Sequence, residues 1–249
     1  AGNDLPFDES LCEQGRNFSN KIWNATRLVT GWKVDENKPQ PDYSKVACEW
    51  LRSKIDMSLM HIDELFNEYR ISEALMATYK LIWDDFCSWY LEIIKPPYGE
   101  LMDKTTYQNT VDFLEELMQI LHPFMPFVTE EVWHNIKPRG ENESIMVTRM
   151  PEATSYNASI LSQFEFAAED IAAIRTQRVE TIFKPKQPIT LYIKKNNNEV
   201  KDETFDSVVS KLTNIEKIEY VSEKVDGALS FIVRSTEFYI PIPSSIDRS

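Results

Sequence analysis

Through the first 136 residues, apolar side chains return every three or four positions, and prolines punctuate the runs. That spacing lines one side of a helix with about 3.6 residues per turn and offers an alternating strand no continuous buried face. It commits this half of the chain to long helices. Trp50, Leu51, Ile55, Leu59, Ile62 and Phe66 show the pattern most clearly, and they predict a helix over roughly Lys45 to Tyr69. An earlier helix runs to about Trp32, and "SLCE" at Ser10–Glu13 has the form of a capping box at its start. The polar, proline-bearing "DENKPQPDYS" separates the two. A third helix is predicted over Ser72 to Ile94, dense in aromatics ("YKLIWDDFCSWYLEIIK") and stopped by Pro96 and Pro97. A fourth covers Thr106 to His122. Pro123 and Pro126 then break or kink the chain in "LHPFMPF", and a short fifth helix carries "TEEVWHNI".

After Pro138 the texture changes. Ile145 to Thr148 reads as a short strand, and a helix from Ser159 to Arg178 leads into a mixed region. There "ITLYIKK", "KIEYV", "LSFIVR" and "TEFYIPI" read as strands, "ETFDSVVSKL" as a helix, and Asp226-Gly227 as a turn. The expected fold class is mainly α: a helical bundle over residues 1–150, a linker over 151–158, and a small mixed α/β module over 159–249.

With 249 residues, 42% of them hydrophobic, the chain can bury a sizeable core as one large domain or two smaller ones. No apolar run reaches membrane-spanning length. The opening "AGNDLPFDES" lacks an initiator Met and reads as a start inside a longer protein. Cys12, Cys48 and Cys87 lie far apart without metal-type spacing, which suits buried free thiols in a reducing cytoplasm. The three histidines are equally scattered, so no metal is expected. Nucleotide-binding G-x-G-x-x-G and G-x-x-x-x-G-K-[ST] signatures are missing, as are G-x-S-x-G and H-E-x-x-H.

Net charge is -13, which taken alone argues against a nucleic-acid partner. The charge is uneven, however. Residues 1–158 carry 15 Lys/Arg against 26 Asp/Glu, whereas Leu11 to Val34 carries four bases, Arg16, Lys21, Arg27 and Lys33, against one acid, Glu13. At about 100° per residue, Phe18, Ile22, Ala25, Val29 and Trp32 form the apolar stripe of this first helix. Arg16, Asn20, Trp23 and Arg27 fall within about 60° of one another on the opposite side, with Asn24 at their edge. Arginine supplies charge and planar donors, asparagine amides read base edges, and tryptophan offers a stacking platform for an unpaired base. The face suits single-stranded RNA. The other readings are an ordinary solvated surface, with Trp23 packed under a neighbour, or a protein-interaction scaffold anchored by Trp23.

Three segments carry a resemblance. "GRNFSNKIWNATRLV" closely resembles the segment that opens the anticodon-binding domain of valyl-tRNA synthetases, members of the class I aminoacyl-tRNA synthetases. "WDDFCSWYLEIIKP" is similar to that family's Trp-x-x-Phe-Cys-x-Trp-Tyr segment, and "LHPFMPFVTEEVW" resembles the proline-bearing segment of the larger class I synthetases. The resemblance covers about residues 9–150, and residues 159–249 resemble less sharply the module that follows in bacterial valyl enzymes. It implies a class I anticodon-binding bundle from an enzyme that joins valine to its tRNA with ATP and magnesium. The catalytic and editing domains of such an enzyme lie upstream of this chain. The implied partners are a valine tRNA and the parent's own catalytic domain, with no DNA, no membrane and a cytoplasmic location. This chain by itself is expected to be non-catalytic and to hold no cofactor.

By position, the resemblance assigns tRNA recognition to Arg16, Asn17, Asn20, Lys21, Trp23, Asn24 and Arg27, with Trp32 at the helix end. Arg175, Arg178, Lys184 and Lys186 form a second basic cluster that could touch a tRNA backbone by charge. Trp83, Phe86, Trp89 and Tyr90 are expected in the bundle core. His122 is expected to be structural, and Glu130 and Glu131 to make helix-start interactions.

Overall fold

A computed structural model of the chain describes residues 8–180, 187–195 and 202–242. The described residues divide into two compact units. One runs to Pro41 and resumes at Leu51–Tyr156. The other comprises Asp42–Trp50 and the residues from Asn157 onward.

The first unit is helical. α1 (Glu9–Gly31) is capped by Asp8, whose carboxylate accepts from the Ser10 N–H at 2.9 Å and from the Ser10 hydroxyl at 2.7 Å. The capping box expected on Ser10 is therefore displaced by two residues. A carboxylate there accepts from an exposed N–H group and places its charge at the positive end of the helix. These hydrogen bonds from Ser10 hold the Asp8 carboxyl below its ordinary value. α1 buries Phe18, Ile22, Ala25, Thr26 and Val29. β1 (Val34–Asp35) follows, then α2 (Asp42–Asn67), which opens three residues before the expected start.

The next helical run, 71–94, is continuous but not uniform. It consists of α3 (Ile71–Lys80), a π-helical segment (Leu81–Tyr90) and α4 (Leu91–Ile94). The Leu91 N–H donates to the Phe86 carbonyl, and the Ser88 hydroxyl donates to the Trp83 carbonyl at 2.9 Å. The wider turn coincides with the aromatic-dense stretch. Phe86 stacks on Tyr90 at 5.8 Å, and Tyr90 meets Phe113 edge-on at 5.6 Å. Phe86 and Tyr90 are buried as expected, whereas Trp83 and Trp89 are only half-buried.

β2 (Met102–Asp103) pairs in parallel with β1, two residues against two, a match too short to leave an alternating pattern. Asp103 caps α5 (Lys104–Leu121) by accepting from the Thr106 N–H at 2.8 Å. The chain breaks at "HPFM", and α6 (Pro126–Ile136) begins on Pro126, where a missing N–H costs nothing. His122 Nδ1 lies 2.7 Å from the Thr129 hydroxyl, which donates to the Met125 carbonyl at 2.8 Å, so His122 holds this break together. Residues Ile145–Val147 form a 3₁₀ turn and not the expected strand. Glu130 explains it: its carboxylate accepts from the Ser144 hydroxyl at 2.9 Å and the Ile145 N–H at 3.3 Å. Glu130 thus ties down a loop and does not start a helix. Burial opposes its charge, but the hydrogen bonds from Ser144 and Ile145 and the nearby His134 keep its carboxyl below the ordinary value. Glu131 is exposed.

The second unit contains α7 (Ala158–Glu180), β3 (Ile189–Lys194), α8 (Asp206–Thr213), β4 (Ile215–Val221), β5 (Ala228–Val233) and β6 (Thr236–Pro241). The sheet order is β4-β3-β6-β5. β3 and β4 are parallel, so their connection must cross over, and α8 supplies it. β5 and β6 form a hairpin whose two-residue turn places Arg234 at φ +57°. Along β3, Ile189, Leu191 and Ile193 are buried while their neighbours are half-buried, the alternation of a sheet with one covered face. Trp50 stacks on Phe164 at 4.1 Å, and Phe164 meets Phe205 at 5.4 Å. No helix among the described residues is long and apolar enough to cross a membrane.

Candidate nucleic-acid interface

On α1, Arg16, Asn17, Asn20, Asn24 and Arg27 are exposed, and Trp23 is half-buried. The buried stripe anchors the helix, so the opposite side chains are left outside by geometry alone. Asn20, Trp23, Asn24 and Arg27 line one shallow concavity of about 340 Å³. Among the described residues, Asn20, Asn24 and Arg27 make no side-chain hydrogen bond or ion pair. Two amides, a guanidinium and an indole therefore face the same space with their polar capacity available. Arg16 lies one turn earlier on this face, 3.7 Å from Glu13, with both side chains well exposed. Such a loose pair stabilises little and gives way readily to a stronger anion.

Three other residues from the sequence reading sit elsewhere on the helix. Lys21 lies on its flank, with Nζ 5.1 Å from the centroid of the Trp83 ring. Trp83 in turn stacks on Tyr79 at 5.5 Å, and Tyr79 packs on Phe18 at 4.7 Å. Lys21 thus marks a seam between α1 and the π-helical segment. Its pairing with Trp83 spans a long stretch of chain and leaves no local signal in the sequence. Trp32 is the half-buried C-cap residue of α1, and its N–H donates to the Val29 carbonyl at 3.3 Å. Asn17 borders the polar face without lining the concavity.

Of the three thiols, Cys48 and Cys87 are buried but Cys12 is exposed on α1, contrary to the expectation of burial for all three. Burial pushes the Cys87 thiol up to about 12, partly offset by the Lys21 charge, so it is an inert core group.

The second basic cluster is not assembled as the sequence suggested. Arg178 is buried, donates to the Gln187 carbonyl, and has its guanidinium pKa lowered by that burial. Arg175 is exposed but donates to the Leu212 carbonyl at 3.2 Å. Lys184 and Lys186 lie outside the described residues.

A helical bundle that offers an unpartnered polar and aromatic concavity has the form of a recognition module. The family described as the anticodon-binding domain of tRNA ligase matches residues 48–193, and the chain belongs to it. Among individual proteins, it is 47% identical over 247 residues to the valine–tRNA ligase of Parabacteroides distasonis and 49% identical over 247 residues to that of Christiangramia forsetii. It is 34% identical over 261 residues to the valine–tRNA ligase of Bacillus subtilis. Each match covers 99% of this chain, and the chain spans 28–29% of the length of these relatives.

Proposed function

We propose that this chain is the tRNA-recognition part of a valine–tRNA ligase and that the polar face of α1 receives the anticodon loop of a valine tRNA. The parent joins valine to that tRNA with ATP and magnesium in a separate catalytic domain, in the cytoplasm. The observation that carries the site is the concavity lined by Asn20, Trp23, Asn24 and Arg27. An indole on one side offers a stacking surface worth about 1–3 kcal/mol per base. Asn20 and Asn24, one helical turn apart, each present a donor and an acceptor to a base edge. Arg27 and Arg16 supply charge to the flanking phosphates. Among the residues assigned from sequence, Arg175 remains a candidate for the tRNA backbone through its exposed side chain.

Binding of the chain to a valine tRNA transcript, and to one with an altered anticodon, tests this reading. Arg27→Ala and Asn24→Ala are each expected to weaken binding tenfold to a hundredfold, because a lost charge-assisted or base-edge contact costs about 1–3 kcal/mol. Both positions are exposed, so helicity and melting temperature should not change. Affinity should fall steeply with salt as neutralised phosphates release counterions. Wild-type affinity in both variants would sink the site assignment. Absence of salt-dependent tRNA binding would favour a protein-interaction scaffold anchored on Trp23.

A further inference from the structure

The second unit contains a cavity of about 410 Å³ that the anticodon reading does not use. Its walls come from α7, the end of β3, the start of α8 and the turn between β5 and β6. The size lies within the range of small-molecule sites, about 300–1,000 Å³. Phe166, Phe205, Val209 and Val233 supply an apolar lining. Charges of both signs share the rest. Asp170 and Asp206 lie on the helices and Asp202 just before α8, while Lys194, which pairs with Glu237 at 3.3 Å, and Arg234 come from the strand end and the hairpin turn.

Several of these charges already have neighbours. The Tyr220 hydroxyl donates to Asp206, and burial together with Asp206, Glu203 and Asp170 pushes the Tyr220 phenol well up. Arg234 reaches α7 from the hairpin turn. It pairs with Glu169 through Nη2 at 2.6 Å, and its guanidinium lies 3.6 Å from the centroid of Phe166. These contacts orient the group while using few of its five N–H donors. Arg234 also sits at φ +57°, a left-handed conformation in which glycine or asparagine would be less strained. The turn therefore tolerates a strained arginine where a cheaper residue would close it.

We propose that this cavity binds a free α-amino acid with a large apolar side chain. Its carboxylate is received by Arg234 and Lys194, its ammonium by Asp170 and Asp206, and its side chain by the apolar lining. This binding is separate from RNA recognition on α1.

Heteronuclear NMR titration of the 249-residue chain tests it, with L-phenylalanine and L-valine as probes. Phenethylamine and 3-phenylpropionate, each carrying one of the two charges, are the controls. L-Phenylalanine is expected to shift the signals of Phe166, Val209 and Val233 saturably, and each control to bind at least tenfold more weakly. Arg234→Asn suits the left-handed turn, so it should keep the melting temperature and lose at least tenfold in affinity. Ala167→Leu, which narrows the cavity from α7, serves as a second variant and should also lose binding. No saturable shift with either amino acid would overturn the proposal. Equal binding of phenethylamine would overturn the zwitterion assignment, and unchanged affinity in folded Arg234→Asn would overturn the role of Arg234.

Discussion

Asp85 shows how far a single residue departs from what its type suggests. Its side chain is 18% exposed on the π-helical segment, with Lys54 Nζ at 3.8 Å. Burial raises its carboxyl pKa, Lys54 lowers it and the neighbouring Asp84 raises it again, leaving it at about 6 against an ordinary 3.8. Between these two values the folded protein holds more protons than the unfolded one, so stability falls as pH rises through that window. Below it both states are protonated and the group contributes nothing; above it the penalty is complete, at most about 3 kcal/mol. Asp85→Asn should therefore match the wild type near the bottom of the window and exceed it at neutral pH. Urea denaturation across the range checks this, and an equal stability gap at both ends would refute it. At the same scale, Asn20, Trp23, Asn24 and Arg27 were legible in the sequence because one helix presents them all. The seat of Lys21 over Trp83 was not, because that neighbour lies on another element, whereas Trp32 already falls on the apolar stripe by spacing.

Among the elements, α5 depends on a buried cap. Asp103 is 1% exposed and bonds the Thr106 N–H at 2.8 Å. Asp103→Ala should cost about 1–2 kcal/mol, the usual range for losing an N-cap, read as a lower denaturation midpoint with an unchanged slope. No loss of stability would mean that Thr106 finds another acceptor. Helix positions followed from periodicity to within a few residues. The π-helical segment did not, because a shift of one residue in hydrogen bonding barely alters the apolar pattern. The 3₁₀ turn at Ile145–Val147 reads as a strand from its sequence for a related reason. Apolar residues in a short run look alike whether a sheet neighbour pairs them or Glu130 ties their backbone.

For the whole molecule, α2 is the informative case. Its spacing from Trp50 to Phe66 reads as one core-facing stripe, yet Asp42–Trp50 cluster with the second unit, where Trp50 is 1% exposed and stacks on Phe164. Trp50→Ala should cost about 3–5 kcal/mol, as for other large buried aromatics. Hydrogen exchange should show the loss of protection first in α7 and α8. Protection lost only in α5 and α6 would show that Trp50 supports the bundle instead. We also propose that the bundle and the module, the latter together with Asp42–Trp50 of α2, are the two folding units, with the segment around residues 150–158 the first site of limited proteolysis. The sequence by itself determined the helical first half, the mixed second half and the polar face of α1, because each depends on spacing within one element. Only the tertiary structure decided that Arg178 is buried, that Lys21 sits over Trp83 and that Trp50 packs with the module. Those outcomes depend on which distant faces exclude water together, and that property belongs to the assembled chain and not to any local stretch of it.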